Sequence, residues 1–305
     1  MNRIKLGASD LEVSEISLGC MRMDQLSKQE AKKVIENAME SGVDFFDHAD
    51  IYGGGKSEEI FADAIEMNPS IREKMIIQSK CGIRKGFFDF SKEHILESVE
   101  GSLKRLNTEY LDVLLLHRPD ALVEPEEVAE AFSKLKESGK VRHFGVSNHN
   151  PMQVELLKKY VEQDLIVNQL QLSVMFTPMI DAGLNVNMQH DPAIVRDSGV
   201  LDYSRLSDMT IQAWSPFQYG MFQGVFVGNE KFPEVNAKLK ELAEKKGVTD
   251  SAIAIAWILR HPAKIQPVVG TMNPQRLADI AKASEIELTR QEWYELYRAA
   301  GNQLP

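Results

Sequence analysis

Cysteine is nearly absent. Cys20 and Cys81 are the only two in 305 residues, too few for a disulfide scaffold and suited to a reducing cytosol. Positive charge is also scarce. The 35 Lys and Arg face 45 Asp and Glu, and the net charge of -10 argues against non-specific nucleic-acid binding, which needs many cations opposite phosphates. A small anionic cofactor needs only a local cluster and stays open. No apolar run reaches membrane-spanning length, and the opening Met-Asn-Arg-Ile-Lys-Leu-Gly lacks the apolar stretch of a secretory signal. These absences predict a soluble, cytoplasmic chain with neither membrane nor nucleic acid as partner. No Gly-x-Gly-x-x-Gly follows an expected strand, which leaves a Rossmann cofactor site unsupported. Gly53-Gly54-Gly55-Lys56-Ser57 imitates a phosphate loop, but that pattern needs Gly at 50, where Asp50 stands. A turn into a helix capped by Ser57 is the simpler reading. No His, Cys and carboxylate spacing resembles a metal site.

What is present is alternation. Short apolar runs near 15–18, 44–47, 75–80, 112–117, 141–146, 166–171, 211–214 and 266–269 read as strands buried on both faces. Helical periodicity separates or follows them over 29–41, 57–66, 91–106, 126–138, 151–161, 234–246, 249–261, 273–283 and 290–300. Eight such strands predict an α/β chain folded as a closed (β/α)8 barrel, with 1–305 as a single domain. Asn150-Pro151 is a good helix start. Residues 3–13 read as a β-hairpin capping the barrel bottom. The stretch 173–200, poor in periodicity, is expected to be a loop over the active face.

Four polar residues lie at or just past the ends of these runs: Asp47, Tyr52, Lys80 and His117. Singly each has an ordinary explanation, as a turn residue, a packing aromatic, a surface charge and a satisfied histidine. In a parallel barrel, however, every strand ends on one face, so residues distant in sequence converge there. Together they form a proton-delivery set for reducing a carbonyl. A buried Lys beside a Tyr favours the phenolate and lowers the Tyr pKa towards neutrality, and a carboxylate holds that Lys charged.

The segments Phe46-Asp47-His48-Ala49-Asp50-Ile51-Tyr52-Gly53, Ser79-Lys80 and Leu115-Leu116-His117-Arg118-Pro119-Asp120 resemble the signature set of the aldo-keto reductase superfamily. The likeness continues through Gly139–Asn148, Asn168-Gln169, Ala213-Trp214-Ser215-Pro216 and Val269-Gly270-Thr271 to Arg276, nearly the whole chain. His48 stands where many members have Thr, which is similar to a bacterial subgroup of short-looped reductases. The resemblance implies an NADP(H)-dependent reduction of a small-molecule carbonyl. Tyr52 would be the general acid, Lys80 its partner, Asp47 the carboxylate holding Lys80, and His117 a donor orienting the carbonyl. Ser147, Asn148 and Gln169 would hold the nicotinamide carboxamide, and Trp214, followed by Ser215 and Pro216, would stack on the ring. Gly270, Thr271 and Arg276 would clamp the ribose 2′-phosphate, with Gly270 lacking the Lys that many members carry there. A non-catalytic dinucleotide sensor of the same superfamily would retain the same cofactor residues. Met21, Met23, Phe87 and Phe88 are candidate substrate lining or plain packing, Cys81 a redox-sensitive or an inert buried thiol. His48 has no assigned role.

Overall fold

A computed structural model describes residues 1–304 of the chain. A hairpin of β1 (Arg3–Lys5) and β2 (Glu12–Ser14) opens it. There follow β3 (Ser17–Gly19), α1 (Lys28–Glu40), β4 (Phe45–Asp47), α2 (Lys56–Ala64) and the short α3 (Pro69–Arg72). β5 (Ile76–Cys81) leads into a small hairpin of β6 (Ile83–Arg84) and β7 (Phe87–Phe88), then α4 (Lys92–Arg105), β8 (Leu111–Leu116) and α5 (Pro125–Glu137). Next come β9 (Val141–Ser147), α6 (Pro151–Lys158), β10 (Leu165–Gln171), α7 (Pro178–Leu184), α8 (Val200–Leu206) and β11 (Thr210–Trp214). The chain ends with α9 (Pro233–Lys246), α10 (Asp250–Leu259), β12 (Gln266–Val269), α11 (Pro274–Ala281) and α12 (Arg290–Ala299).

β3, β4, β5, β8, β9, β10, β11 and β12 pair in parallel in that order, and β12 returns to β3 to close the barrel. This is the expected (β/α)8 architecture. Strands walled by helices outside and packed side chains inside have no wet face, and every residue of β8 (Leu-Asp-Val-Leu-Leu-Leu) is buried. Helices show the complementary pattern. Ala31, Val34, Ile35 and Ala38 give α1 one buried stripe, and a Ser27/Glu30 capping box starts it. Asn150 and Gln153 form a second box on either side of Pro151, at the expected start of α6.

The opening hairpin plugs the end where the strands begin. Leu6 and Val13, both fully buried, pack against Phe45, Val113, Leu115, Ile166 and Val167. Each such side chain contributes about 1.5–3 kcal/mol of burial. The turn requires Gly7, because its φ is 57° and a Cβ there would lie 2.3 Å from the Ile166 carbonyl.

Two local expectations are corrected. Ser57 does not cap α2, since Gly55, at φ 95°, occupies the N-cap. Ser57 lies inside the helix, where its hydroxyl donates to Met21 O at 3.2 Å and accepts from Asp24 N–H at 3.3 Å. Nor does 173–200 form a loop over the active face. Pro178 begins α7, whose Met179 and Ile180 are buried, and the Tyr297 hydroxyl of α12 donates to Asp181 at 2.7 Å. The segment packs beside α8 and α12 because α7 carries an apolar stripe that a surface lid would leave wet. Among the described residues no helix is long and apolar enough to cross a membrane.

Candidate active site

β4 ends at Asp47, and the chain turns through Tyr52–Gly55 into α2. Gly53, Gly54 and Gly55 take φ of 59°, 66° and 95°, consecutive left-handed positions that side chains resist. That reversal holds Tyr52 above the strand end. Lys80, 1% exposed, comes from the neighbouring β5. Its ammonium uses all three protons, on the Asp47 carboxylate at 2.8 Å, the His48 carbonyl at 2.7 Å and the Tyr52 hydroxyl at 3.1 Å. The His117 ring follows the end of β8 and stands nearly perpendicular to the Tyr52 ring, centroids 5.9 Å apart. All four residues expected from the strand ends therefore meet.

Their electrostatics differ from the simplest expectation. Burial alone would push Lys80 down, but the Asp47 charge and the Tyr52 oxygen outweigh it and raise its pKa. Lys80 is firmly cationic. Enclosure of the phenol raises Tyr52 more than Lys80 lowers it, so its pKa is not drawn towards neutrality. Lys80 acts in the expected direction, yet desolvation of a phenolate is the larger effect. Tyr52 therefore carries its proton at neutral pH. Burial, then the charges of Lys80 and Arg118, hold His117 well below the usual imidazole range. A neutral imidazole retains one N–H to donate.

A second cluster joins this one at Gln169. Ser147, at the end of β9, donates its hydroxyl to the Gln169 carbonyl at 3.0 Å. The Asn148 amide donates to Ser147 Oγ at 2.8 Å and accepts from Trp214 Nε1 at 3.1 Å. Gln169 Nε2 reaches Asp47 at 3.0 Å. Asn148 and Ser215 both have positive φ, 60° and 51°, uncommon for residues with side chains and frequent at functional turns. Pro216 is buried directly after Ser215.

Gly270, Thr271 and Arg276 lie apart, where β12 runs into α11. Thr271, Asn273 and Arg276 line a cleft of about 360 Å³ with Arg22 and Lys33. The Arg276 side chain is exposed and has no hydrogen-bond partner among the described residues, while Thr271 Oγ1 accepts from Asn273 N–H at 3.3 Å. The Arg22 guanidinium donates to the Gly270 carbonyl. The site thus has a cation beside residue 270 after all, from the turn after β3 rather than from position 270. Reading the sequence missed Arg22 because only closure of β12 on β3 joins residues so far apart. It also missed Arg118, whose guanidinium lies 5.8 Å from the Trp214 ring, although it sits inside the His117-Arg118-Pro119-Asp120 motif.

Other candidates separate. Met23 is fully buried in the core and does not line the site. Met21, Phe87 and Phe88 are exposed and remain available. Cys81 is buried with its thiol pushed well above its ordinary range, chiefly by desolvation, as an inert cysteine would be. His48 is fully buried edge-on against Phe61 and held down to about 3 by burial and Lys80, hence neutral. Only its backbone carbonyl touches the site.

A closed parallel barrel with a Lys-supported phenol and a ring of amides at its strand ends is the layout of a barrel oxidoreductase. Comparison with known proteins agrees. The model of the Aldo/keto reductase family matches residues 15–300. A 6-dehydroglucose reductase of Agrobacterium fabrum is 36% identical over 98% of both chains. The oxidoreductase YdhF of Escherichia coli is 34% identical over 98% of both. The crystal structure of a thermostable aldo-keto reductase in complex with the inhibitor epalrestat superposes with a TM-score of 0.79 at 25% identity, covering 98% of this chain and all of that one. The chain belongs to the aldo/keto reductase family, whose members are oxidoreductases that use nicotinamide cofactors.

Proposed function

We propose that this chain is an NADPH-dependent carbonyl reductase in which Tyr52 is the general acid. The observation that carries the reading is the contact of Tyr52 OH with a buried, fully engaged Lys80 ammonium at 3.1 Å. A phenol left protonated at neutral pH can donate to a carbonyl oxygen as charge grows there, and the nearby cation lowers the cost of the phenolate that results. His117, neutral, adds a second donor to the same oxygen. Asp47 keeps Lys80 aimed at Tyr52. NADPH, when bound, supplies the hydride. Ser147, Asn148 and Gln169 offer the mixed donors and acceptors that a carboxamide requires, and Trp214 a flat face for its ring. Arg276, Thr271 and Arg22 would meet the 2′-phosphate. One barrel domain carries the whole set.

The substrate is read as an aldehyde or ketone of small size. Only Arg118–Glu124 separate His117 from α5, so the loop there is short and the mouth open. The Agrobacterium relative is named for a sugar with a carbonyl at position 6, so 6-dehydroglucose belongs in any substrate panel beside simple aldehydes and dicarbonyls. Two buried free cysteines suit a reducing compartment, the cytoplasm. The deciding experiment is Tyr52→Phe. Turnover should fall by about 10²-fold or more, the scale of general acid catalysis, with NADPH affinity little changed. Near-normal turnover would remove Tyr52 from the chemistry.

A further inference from the structure

Barrel interiors are normally filled by layers of branched apolar side chains. The strands of this one carry five buried glutamines, and four of them join in one network: Gln78, Gln212 and Gln266 at 0% exposure and Gln169 at 3%. Three of them share one cross-strand level, Gln169 beside Gln212 and Gln212 beside Gln266, while Gln78 lies beside Asp47 on the neighbouring strand and reaches Gln212 across the lumen. Their hydrogen bonds form one directed chain. Gln266 Nε2 donates to the Ser14 carbonyl at 2.7 Å, and Gln212 Nε2 to Gln266 Oε1 at 2.8 Å. Gln78 and Gln169 each donate to Gln212 Oε1, at 2.8 and 3.0 Å. The same two amides donate to Asp47 Oδ1, at 2.6 and 3.0 Å. No amide can be flipped without opposing two acceptors, because an anion anchors one end of the chain and a backbone carbonyl the other.

We propose that Gln78 and Gln212 are positioning residues of the reaction, which hold the Asp47 carboxylate in one orientation beneath Lys80 and share its charge. The proposal rests on the reading of Tyr52 as proton donor. Four amides in a dry lumen are costly unless paired, and Gln78 Oε1 is buried without a partner, so this is not the cheapest way to fill the space. The arrangement makes sense as control of one anion. Every donor placed on Asp47 Oδ1 leaves less of its charge on Lys80, and a less neutralised Lys80 stabilises the Tyr52 phenolate more strongly. Gln212 aims both donors at once, because its Oε1 accepts from Gln78 and from Gln169. Gln169 Oε1 has no partner among the described residues, which leaves it free for an amide N–H while its Nε2 stays committed to this network.

The test is the pH profile of kcat/KM for NADPH-dependent reduction of whichever aldehyde the wild type turns over fastest, measured for Gln78→Met, of similar length. A hydrogen bond to a charged group corresponds to about one to two pH units if wholly transferred, and Gln78 Nε2 is shared with Gln212. The alkaline limb, where Tyr52 loses its proton, should therefore move up by about 0.5–1 unit. NADPH affinity should change less than about twofold, since Gln78 lies among no cofactor residues. Gln212→Met should move the limb the same way, and it decides the matter if Gln78→Met does not fold. A limb unmoved in whichever variants fold, whether or not turnover falls, would make the glutamines mere filling and overturn the proposal. Tyr52→Phe separates the two levels. If that variant keeps its turnover, the underlying reading fails. If it is inactive while the Gln78 and Gln212 variants keep the wild-type profile, only the glutamine proposal fails.

Discussion

Replacing Lys80 by Met keeps the length of a side chain that is 1% exposed but removes its charge and all three of its hydrogen bonds. The Asp47 carboxylate would then be an anion in the barrel interior, satisfied only by the Gln78 and Gln169 amides, and the His48 carbonyl would lose its ammonium donor. Breaking a buried pair by removing one partner costs about 3–5 kcal/mol, because the other charge stays desolvated and uncompensated. At about 2–4 °C per kcal/mol for a protein of this order of size, the melting temperature should fall by roughly 6–20 °C. Asp47→Asn alone should also destabilise, since it strands the ammonium. The double variant leaves neither charge unpaired, and its loss should be smaller than the sum of the two single losses by about 1–3 kcal/mol. Denaturant unfolding monitored by circular dichroism, with NADPH-consumption assays on the same preparations, measures both effects. Turnover should drop in all three variants, while Tyr52→Phe, which loses one neutral hydroxyl, should cost only about 0.5–1.5 kcal/mol of stability. A Lys80→Met protein melting within about 2 °C of wild type would refute the account of a dry, charge-paired site. So would strict additivity in the double variant.

Arg276→Ala should weaken NADPH binding by about 10- to 10²-fold and leave NADH nearly untouched, because only NADPH brings a 2′-phosphate to a guanidinium. Dissociation constants for both cofactors decide it, and equal weakening would mean that Arg276 does not read the phosphate. Arg22→Ala should act in the same direction with a smaller effect, since its guanidinium is already bound to the Gly270 carbonyl; no change in NADPH affinity would exclude Arg22 from the phosphate site. Burial, then the negative charge of Glu58, holds the Asp50 carboxyl up to about 6. A carboxyl raised in the fold favours the native state at pH below its unfolded value, and that contribution is lost as pH rises through about 6. Asp50→Asn should therefore raise the melting temperature at pH 8 and leave it unchanged near pH 4, and a lower melting temperature at pH 8 would show that Asp50 is held by favourable pairing instead.

The strand count and the positions of all eight barrel strands were legible in the sequence, because strands buried on both faces must be short, continuous apolar runs. So were Asp47, Tyr52, Lys80 and His117, since a parallel barrel turns strand ends into one surface whatever their separation along the chain. Local chemistry was less decisive at Ser57, where a plausible cap residue lost to the left-handed Gly55. At 173–200 the apolar stripe of α7 spans too few turns to stand out from a loop. Only the tertiary structure decided which groups share a charge. Arg22 reaches Gly270 because β12 closes on β3, and Gln78, Gln169, Gln212 and Gln266 meet because strand stagger brings their side chains to facing levels of one lumen. The balance on Tyr52 is of the same kind. Residue types announce a phenol, a cation and an anion, but whether the cation or the loss of water dominates depends on distance and burial, which exist only once the barrel has closed.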